Sequence, residues 1–184
     1  MDKIELSKTS NQNLGFFDPI ALKQWDQEYV RVKSMYYMDI AIWVEYQEED
    51  SMTVTFATIS DYKIVMNMEM SKVHRRKKSP TWHVDIVHMD KKFRGKGLAP
   101  KLYKHLVKAL DIVIQAGEAQ SPGGRYIWNK LCASHDVSVY GKFNHGQWHH
   151  MEPGDDGEPW FGYMRGSDLQ PYDGREFTMY LSAA

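Results

Sequence analysis

Between Phe93 and Ala99 the chain reads Phe-Arg-Gly-Lys-Gly-Leu-Ala, and these residues in this order can hold an anion. A strand-like run ends just before them and an amphipathic helix begins within them. The free N–H groups of a helix start and the positive end of its dipole therefore converge on one point, and phosphate suits such a point best. Gly95 and Gly97 let the backbone approach a ligand with no Cβ in the way; Arg94 and Lys96 add positive charge. Two familiar phosphate loops are not matched. No Gly-Lys-Ser/Thr follows at the spacing of the nucleoside triphosphatase loop, and the third glycine and parallel repeat of the dinucleotide fold are missing.

Other reactive side chains are grouped less decisively. His145, His149 and His150 lie near Glu152, Asp155 and Asp156. They match no known ligand spacing and no cysteine stands among them, so the stretch reads as a loop and no metal is expected. The basic stretch His74-Arg75-Arg76-Lys77-Lys78 could meet nucleic acid or an acidic substrate, although a charged hairpin tip is also simply well solvated. Cys132, the one cysteine, reads as core packing.

The elements that must position these groups follow from periodicity. Residues 3–6 could form a short strand. Asp18-Pro19 has the form of a helix start, with Asp as the cap and Pro at the first helical position, and that helix is predicted to run to about Arg31. Alternation of period two then predicts strands over 37–46, 53–59, 63–70 and 82–89, with polar turns at Gln47-Glu48-Glu49-Asp50 and Ser60-Asp61. After Asp90-Lys91-Lys92-Phe93 the period changes: Leu98, Leu102, Tyr103, Leu106, Val107 and Leu110 fall on one helical face. A short strand over 112–114 follows, then a short helix from Arg125 to about Ala133, opened by Ser121-Pro122-Gly123-Gly124, and a strand over 137–140. Residues 145–181 are rich in Gly, Pro and aromatics and close on a strand over 176–181. The expected class is α/β in the α+β sense: a mixed, mostly antiparallel sheet flanked by helices.

Composition bounds the reading. The 184 residues suit one domain, 1–184, with 144–184 an aromatic and Gly-rich extension of it. Hydrophobic residues make up 42%, enough for a core rather than a disordered chain. The formal charge of -1 provides no overall field toward nucleic acid or an anionic membrane, so any anion site must be local. A single cysteine precludes an intrachain disulfide. The polar start lacks the apolar core of a secretion signal, and no run approaches the ~20 apolar residues of a membrane helix. A soluble, cytoplasmic protein is expected.

The loop resembles the acetyl-coenzyme A motif of the GCN5-related N-acetyltransferase family, Arg/Gln-x-x-Gly-x-Gly/Ala. Arg94, Gly97 and Ala99 fill its three defined positions. The preceding strand, the leucine-rich helix and the order of elements over 18–140 resemble that family too. The resemblance implies that Arg94, Gly95, Lys96, Gly97, Leu98 and Ala99 hold the coenzyme pyrophosphate. The backbone of Val87, His88 and Met89 would pair with its arm between the fourth and fifth strands. Residues 120–131 resemble a variant in acetyltransferase-like proteins of bacteriophages.

The resemblance also raises the question of base and acid. Acetyl transfer needs a neutral amine, hence a proton acceptor. The family's frequent fourth-strand Glu is absent. His83 and Asp85 stand two apart on one strand face: His suits base work near neutral pH, and Asp85 could serve if burial raised its pKa. Attack by an already neutral amine needs neither. The family's acid is a Tyr where this chain has Trp128, whose indole does not protonate a thiolate; Tyr126, Ser121 and Tyr140 are nearby substitutes, and Tyr126 is taken with His83 and Asp85 as the catalytic set. The implied activity moves an acetyl group from acetyl-CoA, as co-substrate, to an amine on a protein or small molecule. Were the chain phage-encoded, a host protein would be a natural target. The alternatives are a binding module of the same fold without turnover, and a nucleic-acid binder or modifier working through Arg75 to Lys78. The tail aromatics Trp148, Trp160, Phe161, Tyr163 and Tyr172 are expected to cover the sheet or shape the acceptor pocket.

Overall fold

A computed structural model describes residues 30–47, 49–74, 79–117, 120–143, 148–154, 159–161 and 177–184. The predicted strand over 3–6 and most of the helix from Asp18 lie outside these residues, as do Arg75 to Lys78, His145, Asp155, Asp156, Tyr163 and Tyr172. Two antiparallel hairpins open the described chain: β1 (Val30–Tyr37) with β2 (Ile40–Gln47), and β3 (Ser51–Thr58) with β4 (Ile64–His74). β5 (Thr81–Met89) pairs antiparallel with β4. A 3-10 turn (Lys91–Phe93) leads into α1 (Leu98–Leu110), and β6 (Val113–Gln115) returns parallel to β5. Then come α2 (Pro122–Cys132), β7 (Val137–Phe143), β8 (His149–Pro153), β9 (Pro159–Phe161) and β10 (Phe177–Ala183). Among the described residues the sheet has ten strands in the order β1-β2-β3-β4-β5-β6-β10-β7-β8-β9, with β5–β6 the parallel pair. This is the expected mixed, mostly antiparallel sheet with helices. Among the described residues no helix is long and apolar enough to cross a membrane.

Two expectations are corrected. Val30 and Arg31 belong to β1 and do not end a helix; Val30, Val32 and Tyr37 favour an extended chain, and β1 pairs along its whole length with β2. The predicted strand starting at Tyr37 extends across the turn, because Met38-Asp39 lacks the glycine or asparagine that marks a two-residue hairpin turn most strongly. The stretch around His149 and His150 is not a loop: it forms β8, which pairs with β7, and β9 pairs with β8 in turn.

Register divides the side chains between two faces. Trp82, Ile114, Leu181 and Val139 lie opposite one another across β5, β6, β10 and β7, and all four are buried in the main core. Ile42, Phe56 and Met66 continue that core through the first hairpins. Both helices cover this face: α1 contributes Leu102, Tyr103, Leu106 and Val107, and α2 contributes Trp128 and Leu131. Burying such side chains contributes ~1.5–3 kcal/mol each against exposure. Ser121 caps α2, its Oγ accepting the Gly124 N–H at 3.2 Å, as the Ser-Pro sequence foretold.

Candidate active site

The sheet opens in its middle. β5 and β6 pair only at Thr81–Val113, Trp82–Ile114 and His83–Gln115. After Gln115 the chain turns to β10, where the Ala116 N–H donates to the Met179 carbonyl at 2.8 Å. From Val84 to Met89 the edge of β5 that faces away from β4 therefore has no strand beside it among the described residues. Gly117 stands at the vertex of this split. A Cβ there would come within 2.7 Å of the Val84 carbonyl oxygen, so only glycine fits without displacement. Ile86, within the open stretch, is 42% exposed although β5 lies in the interior of a ten-stranded sheet.

The Arg94–Ala99 loop lies at the mouth of the split, directly after β5. Asp90, fully buried, folds the turn: its Oδ1 accepts the Lys92 N–H at 2.8 Å and its carbonyl accepts the Phe93 N–H at 3.0 Å. The Arg94 N–H reaches the Lys91 carbonyl at 3.4 Å. Beyond it, the amides of Gly95, Lys96, Gly97, Leu98 and Ala99 have no acceptor among the described residues. Gly95 (φ 72°) and Gly97 (φ 66°) adopt left-handed backbone, which turns successive N–H groups toward solvent. A Cβ at either would meet nothing within 4 Å, so the space before them is open. Pro100, at the third position of α1, has no N–H to satisfy. The loop thus has the donors, the room and the helix start that a pyrophosphate needs. Arg94 is partly committed elsewhere, its Nε donating to the Met89 carbonyl at 2.8 Å. That bond pins the loop to the end of β5 and occupies one of the backbone acceptors expected to face the arm.

His83 and Asp85 come together as the alternation implied, with help from a bulge. Glu69 lies opposite Ile86 and Met70 opposite Val84, so Asp85 is the extra residue of β5. His83 Nε2 is 3.9 Å from Asp85 Oδ1, which also accepts the Ser71 hydroxyl at 3.0 Å. Gln115 Nε2 lies 3.3 Å from His83 Nδ1. The Gln115 amide thus holds the ring in place, with Nε2 turned toward Asp85. This polar string, Ser71–Asp85–His83–Gln115, begins where the split begins.

Tyr126 is not part of it. It lies half-exposed on α2 with Lys130 Nζ 5.2 Å from its ring centre, and no contact joins it to His83 or Asp85 among the described residues. Trp128 is buried, edge-on to Tyr103 at 6.4 Å, as core packing requires. Burial pushes the Cys132 thiol up to about 12, which keeps it protonated and unreactive. Among the described residues no three His, Cys, Asp or Glu side chains gather as a metal site.

Three residues of the site face escaped the sequence reading. Gln115 lay outside the short apolar run predicted as a strand. Glu45 and Glu69 flank Thr53 on neighbouring strands, on the same face as Ile86. The alternation of Met66, Met68 and Met70 with Asn67 and Glu69 was the signal that could have found Glu69. Burial raises the Glu45 carboxyl above its ordinary value of 4.5.

No protein-family model and no curated protein matches this chain. Among solved structures it is similar to the ribosomal-protein-S5-alanine acetyltransferase of Vibrio fischeri, at 12% identity and a TM-score of 0.35, over 73% of this chain and 61% of that one. The chain spans about three-fifths of that protein's length, and a likeness this distant carries no argument about chemistry.

Proposed function

We propose that this protein is an N-acetyltransferase that uses acetyl-CoA and delivers the acetyl group to an amine held on the sheet face opposite the helices. One observation carries the reading: a glycine loop whose five amides, Gly95 to Ala99, are unpaired among the described residues stands at the mouth of a split whose strand edge, open among those residues, runs from Met89 back to Val84. Five residue steps at ~3.3 Å give an open edge of about 17 Å. That shape suits a long, thin arm with a diphosphate at one end better than a compact ligand.

In this reading the loop binds the pyrophosphate and the β5 edge guides the arm, so the thioester carbonyl comes to rest near Asp85 and His83. Asp85 is exposed rather than buried as that role first supposed. In contact with His83, it takes the proton of the incoming amine directly or through one water. His83, held by Gln115, faces that carboxylate and steadies its charge. The amine nitrogen forms its bond to the carbonyl carbon, the carbon–sulfur bond breaks, and the thiolate leaves with a proton from solvent. Holding both reactants in one cleft supplies much of the rate.

Calorimetric titration with acetyl-CoA tests the reading. Binding is expected in the wild-type protein and its loss in Gly97→Glu, where a carboxylate on left-handed backbone opposes the phosphates. Failure of the wild-type protein to bind acetyl-CoA or CoA overturns the proposal. A second reading, a domain that binds the coenzyme without turnover, is favoured by the absence of an acid beside His83 and Asp85 among the described residues. Binding with no thiol release across a broad amine panel would select it.

A further inference from the structure

A cavity of about 360 Å³ opens on the sheet face opposite the helices. Its position follows from register. His83, Gln115, Tyr180 and Tyr140 stand level across β5, β6, β10 and β7, one residue out of step with the buried Trp82 row. Thr81, Val113 and Ser182 form one end of the cavity, near β5; Tyr140, Tyr180 and Trp148 form aromatic walls, and Lys142 lies at the far end on β7. The walls are organised: Trp148 meets Tyr180 edge-on at 4.6 Å, and Tyr140 meets His150 edge-on at 5.5 Å. Gln115 lies opposite both His83 and Tyr180, so it stands between the polar string and the Tyr180 wall of the cavity. Gln115 Oε1 is buried and has no hydrogen-bond partner among the described residues, so this bridging amide keeps an acceptor to offer.

The charge of the cavity is one-sided. Among the described residues no carboxylate lines it, and Lys142 is the one ion in its lining. The Lys142 ammonium rests 4.8 Å from the centre of the Trp148 ring and has no carboxylate partner among the described residues. A ligand cation in the aromatic walls would be repelled by an ammonium already seated there. An anionic group would instead draw Lys142 into a charge-assisted bond in a half-enclosed site.

We propose that the cavity binds a flat aryl acid whose anionic group pairs with Lys142, and that the acetyl acceptor is such a molecule with its amine at the opposite end. The second half of this statement rests on the transferase reading; the first does not. β5 and β7 are three strand spacings apart, about 14 Å at ~4.8 Å each. Lys142 marks the β7 end of that span and His83 the β5 end. A span of this length suits an amine and an acid held apart by an aromatic ring, not an α-amino acid, whose two groups share a carbon. The volume is at the small end of the range for small-molecule sites, enough for one such ring with its substituents.

The test uses 4-(aminomethyl)benzoate as probe, with benzylamine, which lacks the acid, and phenylalanine, which carries both groups on one carbon, as comparators. Calorimetry on the full chain is expected to show the probe binding at least about tenfold more tightly than either comparator, the scale of one charge-assisted bond. Lys142→Met is expected to erase that preference and Lys142→Arg to keep it, both with acetyl-CoA affinity unchanged. Equal binding of probe and benzylamine, or acetyl-CoA binding with no probe binding, overturns the proposal and leaves the transferase reading standing. Probe binding without acetyl-CoA binding sinks the transferase reading and keeps the aryl-acid site. Should Lys142→Met fail to fold, the three ligands on the wild-type protein decide alone.

Discussion

Asn129 ties the second helix to the far end of the sheet. It is buried, its Nδ2 donates to the Gly154 carbonyl at 3.0 Å, and its Oδ1 accepts the Gly154 N–H at 2.7 Å. One side chain thus pairs both backbone groups of one residue, as a neighbouring strand would. Asn129→Ala leaves both without partners, and a loss of about 2 kcal/mol is expected by urea unfolding. Gly117 makes the opposite demand, for absence of atoms. Gly117→Ala sets a methyl against the Val84 carbonyl, a backbone oxygen that cannot swing aside. It is expected to cost about 1–3 kcal/mol and to weaken acetyl-CoA binding, because the vertex of the split must shift. A variant as stable and as tight-binding as wild type would show that the vertex does not set the split.

At the scale of elements, amphipathic pieces and the polar turns at 47–50 and 60–61 were legible, and the turn at Met38-Asp39 was not. The alternation in β2, β3, β4 and β5 and the 3.6-residue period of α1 announced themselves because one face of each is buried. β1 was hidden by its turn. Met38 holds left-handed backbone at φ 52° and is 71% exposed, an uncommon residue for that conformation. Met38→Asn, which tolerates it, is expected to stabilise the protein by about 1 kcal/mol in denaturant titration. β8 and β9 are short and rich in His, Pro and aromatics, and take their order from neighbours rather than from any pattern of their own. The polar string was half legible: strand alternation put His83 and Asp85 together, while Ser71 and Gln115 arrive from other strands, which no local period reveals.

The molecule as a whole assigns its two sheet faces different work. One face and both helices form the core; the other carries Glu45, Glu69, the polar string and the cavity. A carboxyl on that second face weakens folding at neutral pH. Burial raises the folded Glu45 pKa above 4.5, so the unfolded chain ionises first. The contribution of this carboxyl to stability is therefore full below pH 4.5 and declines as pH rises through 4.5 toward the folded value. Glu45→Gln is expected to match wild type at pH 4 and exceed it at pH 7, read from urea midpoints. Equal midpoints at both pH values would place Glu45 in a wetter setting.

Strand order holds one more lesson. β10, the most distant strand from the hairpins in sequence, sits between β6 and β7 and joins the two parts of the sheet. Until residues 177–183 slot into place, two bare strand edges face one another across a gap, each able to recruit a stranger. Assembly is then governed by a long-range closure, slow by nature and exposed to clumping while it waits.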